Sequence, residues 1–88
     1  MIICSVGLFA QSVKVTGTVV DDTNSPLPGV NIVVTGSGQG VVTDFDGKYS
    51  ISLPSNKSTL EFTFIGFQKQ QLKLKPNQTV LNVTMVIE

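Results

Sequence analysis

Histidine, arginine and tryptophan are missing from this 88-residue chain, and cysteine occurs once. Without histidine there is no base to activate a serine or cysteine in the usual way. A Ser–Lys pair would need a geometry that the sequence does not announce, so the serines read as loop and exposed-face residues. The lone Cys4 cannot form an internal disulfide. Charge is scarce as well. Charged residues make up 14%, against roughly 25% in average proteins, and six lysines balance six acidic residues. A neutral chain has no electrostatic footprint for nucleic acid or anionic lipid. No segment has helical periodicity.

The segment Met1 to Ala10 is apolar and is followed by Gln11. Its length suits the hydrophobic part of a secretory leader and is too short for a membrane span. It is expected to be a signal peptide remnant, residues 1–10, cleaved after Ala10. It reads as a remnant because no Lys or Arg precedes it and Leu8 is larger than the small residue usual three positions before the cut. Ile3 precedes Cys4 where a lipoprotein box wants a small residue, so a lipid anchor at Cys4 is not expected. Residues 11–88 are then one small domain.

Polarity in that domain comes from Thr, Ser, Asn and Gln alternating with apolar residues. Ser12 to Asp21 places Val13, Val15 and Val19 on one face, with Gly17 in the same row marking a bulge or a close backbone approach. Asp21 to Ser25 is a loop, Leu27 a plug over the sandwich end, and Pro28-Gly29 the centre of a type II turn. Val30 to Thr35 points Val30, Ile32 and Val34 one way. Gly36 to Gly40 is a turn, Val41 to Thr43 a short strand, and Asp44-Phe-Asp-Gly47 a turn closed by aspartate side chains. Lys48 to Leu53 turns Tyr49, Ile51 and Leu53 inward. After the loop Pro54 to Ser58, Thr59 to Ile65 buries Leu60, Phe62 and Phe64. Phe67 to Leu74 carries a bulge at Gln68 to Gln71, Lys75 to Gln78 is a turn, and Val80 to Ile87 sends Leu81, Val83, Met85 and Ile87 to one side. Seven short strands predict an all-β, antiparallel, two-sheet sandwich.

Candidate chemistry is thin. A calcium loop starting at Asp44, with Asp46, would need a Glu at its twelfth position, and Ser55 stands there. A weak turn-based site with Asp21 or Asp22 is the residual form of that idea. Gly36 to Gly40 has the glycines of a phosphate loop but no Lys and no following helix. Asn56, Asn77 and Asn82 open glycosylation triplets that are common by chance. Tyr49, Phe62 and Phe64 alternate as core residues rather than as an exposed stacking platform. Phe45 at a turn tip and Ile65 on an outer face are the exceptions, read either as a contact patch or as ordinary single exposed apolar residues. No catalytic, cofactor or metal-binding residues are assigned, and the chain is not expected to be an enzyme.

The runs Val15-Thr-Gly-Thr-Val-Val-Asp, Pro26-Leu-Pro-Gly-Val-Asn-Ile, Gly40-Val-Val-Thr-Asp-Phe-Asp-Gly-Lys-Tyr-Ser-Ile and Leu60-Glu-Phe-Thr-Phe-Ile-Gly-Phe resemble the carboxypeptidase regulatory-like domain family. The form is that at the N-terminus of SusC/RagA-type TonB-linked outer-membrane receptors of Bacteroidetes. The resemblance covers about Lys14 to Ile87. It implies a transthyretin-like (prealbumin-like) sandwich without catalytic residues, in which Gly17, Pro28, Gly29, Asp44, Gly47 and Gly66 are turn and bulge positions. It also implies a periplasmic interaction module of a receptor importing glycans or peptides. The module would precede a TonB box, plug and barrel, with Glu88 where the linker to the TonB box would begin. The implied partner is a periplasmic protein, or the plug and barrel of the same receptor. Docking would use exposed strand edges, Val80 to Ile87 and Phe67 to Leu74. The alternatives are a structural accessory domain of a secreted hydrolase such as a metallocarboxypeptidase, and a carbohydrate-binding module.

Overall fold

A computed structural model describes residues 13–53 and 58–88. The expected leader, residues 1–10, lies outside the described residues, as does most of the loop expected after Leu53. Seven strands follow in chain order: β1 Val13–Val20, β2 Asn31–Val34, β3 Gly40–Val42, β4 Lys48–Leu53, β5 Thr59–Thr63, β6 Gln70–Lys73 and β7 Val83–Thr84. They form two sheets, ordered β4-β1-β7 and β3-β2-β5-β6. The predicted all-β, two-sheet sandwich is what the chain forms.

Period-two alternation builds the core. In β4 every second residue, Tyr49, Ile51 and Leu53, is buried and the residues between them are exposed. Val15 and Val19 do the same from β1, Ile32 and Val34 from β2, and Leu60 and Phe62 from β5. These faces meet between the sheets. The Tyr49 ring from one sheet meets the Phe62 ring from the other edge-on, with centroids 5.7 Å apart and planes at 78°. That geometry sets the positive ring edge against the negative ring face. Leu27 is partly buried against this core, as expected of a plug between two prolines.

Several details narrow the sequence reading or depart from it. β1 pairs antiparallel with β4 but parallel with β7, so one pair in the sandwich is parallel. β1 has no bulge at Gly17, because its register with β4 runs unbroken from Val13–Leu53 to Thr18–Lys48. The glycine marks a close approach instead. A Cβ there would sit 1.9 Å from Leu81 O and 2.9 Å from the Tyr49 ring.

The expected bulge at Gln68 to Gln71 is likewise absent, since β5 and β6 pair continuously from Thr59–Lys73 to Phe62–Gln70. The phase shifts earlier. A turn from Phe64 to Phe67, closed by Phe67 N–H to Phe64 O at 3.1 Å, lets Phe67 bridge Ile87. Only then does the chain join β5. The last expected strand is split in the same way. Val80 bridges Thr16, Val83 and Thr84 pair with β1, and Ile87 bridges Phe67. Val83 and Met85 are buried, but Ile87 is 59% exposed, because the chain has left the inter-sheet space by then.

Candidate functional site

Two aspartates shape the loops. Asp21 Oδ1 accepts from the Thr23 N–H at 2.8 Å, the Thr23 hydroxyl at 2.6 Å and the Ser25 N–H at 3.0 Å. The Thr23 hydroxyl, then the Ser25 amide, hold its carboxyl below the ordinary carboxylate range. Asp44 Oδ1 accepts from Asp46 N–H and Lys48 N–H, both at 2.9 Å. Gly47 completes this turn with a φ of +74°, and a Cβ there would meet Val19 O at 2.5 Å. Position 47 therefore excludes any side chain on two grounds. One oxygen of each carboxylate is taken up by its own turn, and the described residues contain no group of three or more His, Cys, Asp or Glu placed to hold a metal ion. Asn82 is also committed, accepting from Thr18 N–H at 2.9 Å through its side-chain oxygen.

Thr43 is a residue the sequence did not single out. It is buried, its hydroxyl donates to Leu27 O at 2.5 Å and accepts from Val30 N–H at 2.9 Å. It thereby ties the plug loop to the end of β3. An apolar strand pattern gives no signal for this, because Thr is ordinary on an exposed face. Tyr49, expected in the core, is buried there and donates its hydroxyl to Leu81 O at 2.6 Å. Burial pushes its phenol up to about 12, so it stays neutral near pH 7.

Phe45 and Ile65 are 92% and 88% exposed, as expected of residues off the inward rows. Phe45 edges an open hollow with Pro28, Gly29, Thr43 and Asp44. Phe64 lies 3.6 Å from where a Gly29 Cβ would be, and its ring packs on Phe67 with centroids 5.8 Å apart. The Pro28-Gly29 turn and the Phe64–Phe67 turn thus meet at one end of the sandwich.

The two side margins of the sandwich differ more than its ends. On one, β6 and the last residues face each other. Parts of the two edges expected to dock a partner, Phe67 to Leu74 and Val80 to Ile87, bond to one another here. Gln68 N–H donates to Val86 O at 2.8 Å, Glu88 N–H to Gly66 O at 3.0 Å, and the Gln70 amide to Thr84 O at 2.7 Å. On the other margin β3 and β4 leave a second hollow, lined by Val42, Asp44, Lys48, Tyr49 and Ser50. The side-chain amide of Gln39 spans it at one end, donating to Ser52 O at 2.5 Å.

Comparison with known proteins agrees with this architecture. The family model for the CarboxypepD_reg-like domain matches residues 15–88. A TonB-dependent receptor of Formosa agariphila, P39, is 40% identical over 81 residues, covering 92% of this chain and 8% of the receptor. The TonB-dependent receptor SusC of Bacteroides thetaiotaomicron is 38% identical over 80 residues, covering 91% of this chain and 8% of the receptor. The chain thus spans under a tenth of these relatives. Among solved structures, a chain of a type II cohesin–X-dockerin complex from Acetivibrio cellulolyticus matches with a TM-score of 0.71 at 18% identity, covering 85% of this chain and 58% of that one. A 3-chlorocatechol 1,2-dioxygenase from Rhodococcus opacus 1CP matches with a TM-score of 0.61 at 12% identity, covering 89% and 60%. At those identities the likeness is one of fold alone.

Proposed function

Because this chain belongs to the CarboxypepD_reg-like domain family, we propose that it is a non-enzymatic interaction module of a TonB-dependent outer-membrane receptor. It lies on the periplasmic side, as the N-terminal extension of an importer of glycans or peptides, and reaches the periplasm by way of a leader at residues 1–10. It acts by docking, through its margins and loops, on a periplasmic protein or on the plug and barrel of the same receptor. The observation that carries this reading is the 38–40% identity to TonB-dependent receptors across about nine-tenths of the chain.

Placement is the first test. An epitope-tagged chain should fractionate with the outer membrane, resist protease added to intact cells, and be cut once the outer membrane is permeabilised. Recovery from the cytoplasm refutes the reading. Deleting residues 15–88 from the receptor that carries them should then slow growth on the imported polymer while receptor abundance in the outer membrane holds. Loss of the receptor itself would instead make the domain a folding aid.

A further inference from the structure

Both ends of the sandwich are built of turns, and they differ in what those turns expose. In the β3-β2-β5-β6 sheet, Asn31 stands opposite both Val42 and Thr63. In the other sheet, Thr18 stands opposite Lys48 and Val20 opposite Thr84. The turn from Asp44 to Lys48 joins these two rims. The 21–30 loop, the 44–47 turn, the 64–67 turn and residues 85–88 therefore gather at one end. Val13, the 35–39 turn and the 74–79 turn lie at the other, where the Gln39 amide reaches Ser52 O.

Large exposed apolar residues concentrate at the first end. Val42, Phe45, Ile65, Val86 and Ile87 are all exposed there. Among the described residues the one other such side chain is Val80, which bridges Thr16 midway along β1. The opposite end exposes Thr35 to Gln39 and Lys75 to Asn77. Single exposed apolar residues are ordinary, but a cluster marks a contact surface. Charge divides in the same way. Asp21, Asp22, Asp44, Asp46 and Glu88 lie at the apolar end, against Lys48. Lys14, Lys73 and Lys75 lie toward the other end, while Lys69 and Glu61 pair with each other at 3.5 Å.

Glu88 locates the exit from the domain. Its N–H donates to Gly66 O at 3.0 Å, and Ile87 bridges Phe67. Residues that follow Glu88 in a receptor therefore leave from the apolar end, next to Ile65. The domain is 8% of each of the receptors P39 and SusC. A downstream portion joined by a short flexible linker stands beside these residues at an effective concentration on the order of millimolar. A free periplasmic protein must compete with that.

We propose that this end of the sandwich docks on the downstream portion of its own receptor, on an apolar face rimmed by lysine or arginine. The inference rests on the interaction-module reading, and names which of its two partners the domain takes and by which surface. Phe45, Ile65 and Ile87 supply the apolar contact. The hollow beside Phe45, walled by Pro28, Gly29 and Thr43, receives one side chain. Asp22 and Asp46 supply the charge that the basic rim complements. A second copy of this chain fits poorly. Two apolar ends brought together set carboxylates against carboxylates, and an apolar end on a lysine-bearing end meets no apolar cluster. The same carboxylates are repelled by an anionic lipid surface.

The test is photo-crosslinking in the whole receptor, in its own outer membrane. p-Benzoylphenylalanine replaces Phe45 or Ile65 and, as controls at the opposite end, Ser37 or Lys75. The probes at 45 and 65 should capture one segment of the same chain beyond residue 88, mapped by mass spectrometry, in which apolar residues are flanked by lysine or arginine. The controls should not capture it. Mixing isotopically labelled and unlabelled receptor separates capture within a chain from capture between copies. Ile65→Asp should cut capture from position 45 about tenfold, through loss of one buried aliphatic contact, and Ile65→Leu should preserve it. Both positions project into solvent, and the capture map itself needs no destabilising variant. Capture of a second copy, of lipid or of a separate protein would overturn this docking. So would capture of an acidic segment, equal capture from both ends, no capture, or an Ile65→Asp receptor that crosslinks as the parent does. Capture of a separate periplasmic protein leaves the module reading standing, whereas failure of the placement test refutes both.

Discussion

The two side margins of this sandwich solve the same problem in opposite ways. Every sheet edge exposes unpaired backbone groups that invite a foreign strand. At the β6–β7 margin the chain covers part of its own edges. The segment from Gly66 to Gln70 and the segment from Thr84 to Glu88 exchange backbone and amide bonds, so the start of β6 and the end of the chain are fastened to one another. At the β3–β4 margin the sheets part, and a glutamine amide and a turn carry the connection.

The largest expected effect tests how the 79–81 segment packs on β1. Gly17→Ala places a methyl on Leu81 O, and neither strand can yield without breaking the β1 ladder. Stability in urea should fall by about 3 kcal/mol or more. A loss under about 1 kcal/mol would show that the 79–81 segment is loosely held on β1.

Thr43→Val comes next, on the open side. The shape is kept, but Leu27 O and Val30 N–H lose their partner, at a cost of about 1–3 kcal/mol. An unchanged midpoint would mean that the plug loop is anchored elsewhere. Tyr49→Phe cuts the bond that reaches from β4 to Leu81 O, worth about 1 kcal/mol. It also carries a pH signature. The folded phenol is pushed from its ordinary 10 up to about 12, so its protonated form is favoured by folding. That contribution is whole below pH 10 and is lost as pH rises from 10 to 12. Tyr49→Phe should therefore flatten the alkaline fall in thermal midpoint across that interval, and a parallel fall in both proteins would refute the assignment.

The smallest effects compare the margins directly. Gln70→Ala and Gln39→Ala each remove one exposed amide bond and should cost under about 1 kcal/mol. Only Gln39→Ala should speed amide exchange at Val42 and Ser50, since backbone bonds back up Gln70 and nothing similar backs up Gln39. Equal effects would erase the distinction.

Much of the fold is readable along the chain, and where it is not, the cause can be named. Lys48 to Leu53 is predicted end to end, because its apolar and polar residues alternate without interruption and the strand keeps one partner throughout. Asp44 and Gly47 announce their turn because a carboxylate two residues from an amide and a residue free at positive φ have few other uses. Val80 to Ile87 alternates equally well, yet it hands over from β1 to Phe67 partway, and Ile87 ends in solvent. Period two records which side chains share a face, not which neighbour receives the backbone. The phase shift near Gln68 fails as a bulge for the same reason. Phe45 and Ile65 were legible as exposed because each falls off the inward row, whereas the role of Thr43 depends on Leu27, sixteen residues away.

Alternation and turn chemistry along these residues were enough to set the strands, the buried faces and the two-layer architecture, since each is a local property of side chains one or two positions apart. The pairing of the margins was not. Whether an edge bonds to its neighbour or splays from it depends on contacts between residues tens of positions apart, and the closed β6–β7 side and open β3–β4 side exist only once the layers have packed and set the distance between their edges.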